Sequence, residues 1–396
     1  MDGKGTIVYI GGFELPDKNA AAHRVINNAK IFRDLGYKVV FIGVDETLAR
    51  GSKITETKTS NQGFDSWSIP YPSNISEWYK YLTDIKDFKS VFELYDNACL
   101  VIAYNYQAIA LHKIKKYCRK HNCKIIADCT EWYNNQGSKL VFKVVKGFDS
   151  FLRMRLIQKK LDGLIVISSY LEKYYNNIIP TLRIPPLVDI TEDKWSDVSI
   201  EQEHQRVKFV FSGTLGRNKE KVDRIINAFS KVKNKELYKL EIIGINEQEY
   251  VIRYPDDLEV LNKLRGNIMF HGKKSHLQSL KILKSADFCI FIRENNFSNK
   301  AGFPTKFVES ITSGIPVITT LTSDLNEYLS SEKNGFQINI TNEENTIRIL
   351  DRVINLERNE IAKMKNHCKK TNRFHYKLYN NSVHDFLKRL DLKSKD

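Results

Sequence analysis

The chain has 396 residues, 42% of them apolar and 28% charged, and a formal net charge of +15. That balance fits a soluble globular protein with room for two hydrophobic cores. No apolar run reaches the roughly 18 residues of a membrane span, and MDGKGTIVYIGG enters a strand without a signal-peptide layout, so a cytoplasmic protein is expected. The six cysteines, Cys99, Cys118, Cys123, Cys129, Cys289 and Cys368, contain no C-x-x-C pair, which argues for reduced thiols and against a disulfide framework or a zinc site.

The segment Thr6–Gly12, TIVYIGG, reads as a buried strand ending in a glycine pair, where backbone can come close to a ligand. The pair is not a G-x-G-x-x-G fingerprint, which argues against a nicotinamide cofactor; a plain strand-to-helix turn is its other reading. Ala22, Val25, Ile26, Ala29, Phe32 and Leu35 then share one helical face, and Gly36 ends that helix before the strand Tyr37–Val44. This start is the first right-handed crossover of a Rossmann-like domain. Arg24 lies in the helix's first turns, where the dipole disfavours a cation, so an anionic partner such as an acceptor phosphate is expected, with His23 beside it. Solvated helix residues are the plainer alternative, more so for His23.

Further strands are expected over 98–105, 124–131 and 162–168, with a helix over 108–121. The second of these ends in DCTEWY, so Asp128 and Glu131 leave its carboxyl edge beside Trp132. Desolvation against an aromatic wall raises a carboxylate's basicity, and either group could orient or deprotonate a hydroxyl. A loop cap for Asp128 and a lysine pair for Glu131 are the alternatives. The Pro-rich Arg183–Asp189 and the unpatterned polar stretch after it read as a linker. The expected division is a first domain over 1–190, a linker over 191–206, a second domain over 207–375 and a closing helix in 376–396.

The second domain repeats the alternation. A strand over 207–213 ends in Gly213, a helix covers 221–232, and strands follow over 240–246, 267–272 and 286–294. A helix over 275–284 precedes the last of these, which ends in Arg293 and Glu294: donor-side contacts or a surface ion pair. Next comes AGFPTKFVESITSGIPVITT. Ala301 to Pro304 reads as a loop, Thr305 as the N-cap of a helix reaching Thr312, Gly314 as its stop, and 315–320 as a strand covered on both faces. That helix start points into the crevice at the end of a parallel sheet, where unpaired amides and the dipole attract phosphate. Glu309, one turn inside, can accept hydrogen bonds from sugar hydroxyls. A strand over 334–340 ends the sheet.

The run Pro304-x-Lys306-x-x-Glu309, followed by Ser313-Gly314-Ile315-Pro316-Val317, resembles the sugar-nucleotide loop and helix of retaining GT-B glycosyltransferases of the family 4 type. The Glu-x7-Glu form of that motif is not met, because Ala301 stands at the first acidic position. The resemblance covers nearly the whole chain. It implies an α/β GT-B protein, two Rossmann-like domains facing each other across a cleft, with the closing helix returning to the first.

The resemblance also implies roles. The donor would meet Gly12, Gly213, Arg293, the backbone of Gly302, Phe303, Pro304 and Thr305, and the side chains of Lys306 and Glu309. Lys219 with Arg217 would stabilise the leaving diphosphate in place of a metal ion; Lys221 competes, and the register from Ala228-Phe229 favours Lys219. Phe270-x-Gly272 resembles a turn whose backbone reads the nucleobase. His23, Arg24 and Trp132 would take the acceptor, with Glu131 and Asp128 as catalytic candidates. No D-x-D motif ends a strand, so no metal or other cofactor is expected.

The implied reaction moves a sugar with retention from a nucleotide sugar, UDP- or GDP-linked, to a saccharide or lipid-linked acceptor. A capsule or lipopolysaccharide chain is the implied product. A GT-B sugar-nucleotide epimerase and a catalytically inactive GT-B binding protein are the alternatives. Nucleic acid is not an expected partner, since no segment interleaves cations with aromatics and no zinc finger or helix-turn-helix is present. Positive charge concentrates in Leu111–Lys124 and Lys139–Lys160, which could face an anionic membrane surface at the inner side of the plasma membrane. A lysine-rich, solvated surface is the other explanation.

Overall fold

The computed structural model describes residues 4–132, 140–196, 206–214 and 220–392, with 140–144 described by backbone alone. The chain divides into two units, Met1–Val188 with His375–Asp396, and Asp189–Phe374.

The first unit is built on an eight-stranded sheet. Its strands are β1 (Thr6–Gly11), β2 (Lys38–Asp45), β3 (Thr59–Asn61), β4 (Phe64–Pro70), β5 (Ala98–Tyr104), β6 (Lys124–Cys129), β7 (Gly163–Val166) and β8 (Thr181–Arg183). Their order is β3-β4-β2-β1-β5-β6-β7-β8, and every pairing except β3 with β4 is parallel. All six residues of β1 are buried, as a central strand covered by helices on both faces requires. The chain leaves β1 for β2 on one side and reaches β5 on the other, so the sheet's switch point lies at the end of β1.

The helix Ala20–Asp34 starts at Asn19, whose side chain accepts from the Ala22 amide at 2.9 Å. Val25, Ile26 and Ala29 on this helix join the core of β1, β2 and β5. The same core receives Val383, Phe386 and Leu387 from the closing helix Asn380–Arg389. A short 3-10 turn, Tyr376–Tyr379, precedes that helix.

The second unit carries a six-stranded, wholly parallel sheet. Its strands are β9 (Val207–Ser212), β10 (Tyr238–Ile243), β11 (Ile268–Phe270), β12 (Phe288–Phe291), β13 (Val317–Thr319) and β14 (Gly335–Gln337). The order β11-β10-β9-β12-β13-β14 puts this sheet's switch point between β9 and β12. All six cysteines are free and buried. Among the described residues no helix is long and apolar enough to cross a membrane.

Two local readings need correction. Thr305 does not cap its helix: Pro304 holds the cap position, without a side-chain hydrogen bond, and Thr305 is the first helical residue. Proline at this boundary has a φ of −75° and no amide to leave unsatisfied, which displaces the expected threonine. The hairpin of β3 and β4 was not anticipated. Its turn is Gln62-Gly63, with φ of 51° and 79°, a left-handed pair that does not use the usual Asn-Gly.

Candidate active site

In the second unit, the residues that matter leave the carboxyl ends of β9 and β12 at the switch point. Glu220 and Arg293 pair as an isolated antiparallel bridge, and the Lys221 amide donates to the Ile292 carbonyl at 3.0 Å. The Glu220 carboxylate, 7% exposed, accepts from Arg293 through Nε at 3.2 Å and Nη2 at 2.8 Å. Its other oxygen accepts from Lys306 Nζ. Gly213 packs closely beside it: a Cβ there would lie 2.6 Å from Glu220 Oε2 and 2.8 Å from the Phe211 ring, so those side chains would have to move. Thr320 Oγ1 accepts from the Arg293 amide at 2.9 Å and donates to its carbonyl at 2.7 Å, tying β12 to the end of β13.

Burial alone would raise the Glu220 carboxyl above its usual 4.5, but the charges of Lys306 and Arg293 hold it down at about 2. Two cations against one carboxylate leave this cluster a net positive charge. The lowered value makes Glu220 a stabilising group above about 4.5, and that contribution is lost as pH falls from about 4.5 towards about 2. Glu220→Gln is therefore expected to melt well below wild type at neutral pH and to converge on it as acid is added. A melting difference that stays constant down that acid limb would show that the ion pairs contribute nothing to folding.

Lys306 belongs to the helix Thr305–Thr312, whose apolar face, Phe307, Val308 and Ile311, is buried. Its far end is closed by Gly314 at φ +73°, with bonds from the Gly314 amide to Ile311 O at 3.0 Å and from the Ile315 amide to Ser310 O at 2.8 Å. The helix is thus fixed at both ends, with its first-turn amides at the unit's strand ends. The expected amide set narrows, however. Pro304 has no N–H, and the Gly302 amide already donates to Ser298 O at 3.3 Å. The Phe303 ring is committed to Tyr328 and Phe374, at centroid distances of 5.5 and 6.1 Å, so only its backbone can meet a ligand. Glu309 is half-buried, and its Oε1 lies 3.3 Å from His276 Nε2. Ala301, at the position where an acidic residue was sought, is fully buried.

Arg293 and Lys306 are brought together; Glu294 turns to Lys221, 3.0 Å away. Arg217 and Lys219 lie outside the described residues. Sequence reasoning missed Glu220 and His276. The available signal for Glu220 was a lone acid in NKEKV just after the strand ending in Gly213.

In the first unit, the reading of Arg24 and Asp128 as ligand-facing groups is corrected. Asp128 is fully buried and Arg24 is 3% exposed. Arg24 Nη2 donates to Asp128 Oδ1 at 2.7 Å and Nε at 2.9 Å, while Nη1 donates to the Ile184 carbonyl at 3.0 Å. Tyr9 Oη and Asn28 Nδ2 also donate to Asp128, at 2.5 and 3.2 Å. The anion that Arg24 called for is internal. A carboxylate so occupied has no lone pair facing solvent for an acceptor hydroxyl.

Gly12 is exposed at the end of β1. His23 is half-buried, and its carbonyl accepts from Asn27 Nδ2 at 2.8 Å. Glu131 and Trp132 are half-buried at the end of β6, and the Trp132 ring meets Tyr174 edge-on at 4.9 Å. A cavity of about 240 Å³ opens above β1, β2 and β4, between Ile10, Ile42, Arg50, Glu77, Tyr81 and Tyr106.

Comparison with known proteins gives the context. Residues 193–374 match the model of glycosyl transferases group 1. No curated protein matches the chain significantly by sequence. Among solved structures, sucrose-phosphate synthase from Thermosynechococcus elongatus superposes with a TM-score of 0.74 at 13% identity, over 98% of this chain and 99% of that one. Anabaena HepE in complex with UDP-glucose gives 0.64 at 15% identity, over 97% and 99%. WaaG, a glycosyltransferase involved in lipopolysaccharide biosynthesis, gives 0.62 at 13% identity, over 98% and 100%. The chain has the GT-B fold of two Rossmann-like domains, and the glycosyl transferases group 1 model matches it over residues 193–374 of the second unit.

Proposed function

We propose that the chain transfers a sugar, with retention of anomeric configuration, from a nucleotide-sugar donor to a saccharide or lipid-linked acceptor in surface polysaccharide synthesis. The observation that carries this reading is the pairing of Arg293 and Lys306 on one carboxylate, beside the helix start that also presents Glu309. The family match over 193–374 and the part WaaG plays in lipopolysaccharide synthesis support it. Glu309 accepts from hydroxyls of the donor. As the bond from the anomeric carbon to the diphosphate oxygen breaks, negative charge grows on the leaving group. Lys306, Arg293 and the helix dipole stabilise that charge, with Lys219 and Arg217 adding to it. The acceptor hydroxyl bonds to the anomeric carbon on the same face and passes its proton to the departing phosphate oxygen. Glu131 and His23 orient the acceptor in the first unit, and Gly12 lets its backbone approach.

Thermal melting against a panel of UDP-, GDP- and ADP-sugars tests the donor half, because a ligand bound only by the native state raises the melting temperature. No shift with any of them would reject the reading in favour of a binding protein. Incubation with UDP-GlcNAc and no acceptor separates the epimerase: a C2 epimer among the products would sink the transfer reading. Turnover is expected to survive EDTA, since the chain places cations where a metal-using enzyme places paired carboxylates. Complete loss in EDTA, restored by manganese, would contradict this part.

A further inference from the structure

The three charged side chains clustered at the ends of β9 and β12 are unevenly buried. Glu220 is 7% exposed, Arg293 12% and Lys306 19%, so the carboxylate is the most deeply set of the three. Backbone as well as charge holds it there. Glu220 bridges to Arg293 through the main chain, and Gly213, having no side chain, leaves the space that Glu220 Oε2 occupies. Oε1 accepts from Arg293 and Oε2 from Lys306, so each oxygen serves one cation.

Lys306 needs such a partner more than an ordinary surface lysine does. It is the second residue of the helix Thr305–Thr312, where the positive end of the dipole opposes a cation. Two cations at a helix start, with no anion between them, would hold any phosphate tightly. With Glu220 between them, the three side chains keep one net positive charge. The carboxyl is held at about 2, so it stays ionised across the neutral range.

This charge balance bears on the end of the reaction. The diphosphate of a nucleotide sugar is esterified at both ends. The nucleoside diphosphate left after transfer has a free terminal phosphate, whose second ionisation lies near about pH 6, so above neutrality it carries one more negative charge than the donor. A unit charge about 6 Å from the phosphates changes affinity by about tenfold for each charge on the ligand, once solvent and salt have screened it. Each positive charge added to the site therefore favours the product nucleotide over the donor by about that factor. We propose that Glu220 is a specificity-determining residue: by offsetting one of the two cations, it lets the donor compete with the nucleoside diphosphate, which is then free to leave. This role rests on the transfer reading.

The quantity that tests it is the affinity for nucleoside diphosphate divided by the affinity for nucleotide sugar. Titration calorimetry at pH 8 measures both, with UDP and UDP-glucose, GDP and GDP-mannose, and ADP and ADP-glucose as probes. Glu220→Gln raises the net charge by one, and the ratio should rise about tenfold. Arg293→Gln lowers the net charge by one, and the ratio should fall about tenfold. Glu220→Gln added to Arg293→Gln restores the net charge of wild type, and the ratio should return to within about threefold of it. Should Glu220→Gln alone fail to fold, the double variant decides. A carboxylate that only braced the site would leave the double variant no better than Arg293→Gln. A folded Glu220→Gln with the ratio of wild type or a lower one, or a double variant that keeps the ratio of Arg293→Gln, overturns the proposal and leaves the transfer reading standing. Wild type that binds none of the six nucleotides removes both.

Discussion

Asp128→Ala is expected to lower the stability of the first unit by about 3–5 kcal/mol, because it strands a buried guanidinium. Arg24 is 3% exposed and gives Asp128 both Nε and Nη2. Without the carboxylate, Tyr9 loses its acceptor and Asn28 keeps only the Tyr9 hydroxyl. The expected shift of that unit's melting transition is downward, on the order of 10 °C. A second substitution, Arg24→Met, should recover part of it, since removing both charges costs less than removing one. Calorimetry that resolves the two units is the measurement, because a two-domain chain need not melt in one step. An Asp128→Ala protein that melts like wild type and loses only transfer would return Asp128 to the chemistry.

Glu309→Gln is expected to behave in the opposite way, with an intact fold and weak donor binding. The carboxylate is half-buried, and His276 Nε2 lies 3.3 Å from it. Its helix is held by Phe307, Val308 and Ile311, none of which the change touches. A charge-assisted hydrogen bond contributes roughly 1.5–3 kcal/mol, so donor affinity should fall by about one to two decades. Titration calorimetry of wild type and variant with the same donor measures it. Equal affinities in a well-folded variant would remove Glu309 from the donor site.

The architecture was legible because buried parallel strands write themselves as apolar, β-branched runs. TIVYIGG, YKVVFIGV and ADFCIFIRE each became a strand within one to three residues of its expected ends. The hairpin over 59–70 was not legible, since FDSWSIP breaks the period-two alternation, with Phe64 and Trp67 three residues apart, and its turn lacks the usual pair. At the site, the context of each residue was legible and its partner was not. Arg24 signalled an anion, but that anion lies 104 residues away in the same core. No spacing rule in a single sequence links the two. Lys306 was expected at the donor, and Arg293 at the donor or in an ion pair; both lean on Glu220, which sits among lysines and reads as one more solvated charge. Glu309 needed only helix geometry, because its place follows from the Pro304 boundary and the 3.6-residue period. Arg217 and Lys219 lie in a segment the structure does not describe, so the sequence remains the sole support for their role.

The central claim is that the donor sits at the ends of β9 and β12 against the start of the helix Thr305–Thr312. Amide hydrogen exchange of the full chain, with and without a saturating nucleotide sugar that raises its melting temperature, tests this most directly. The account predicts slowed exchange over 302–309 and around Glu220, with the protection over 302–309 weakened in Glu309→Gln at the same donor concentration. Protection confined to the strand ends of the first unit, with 302–309 exchanging as in the free protein, would contradict it.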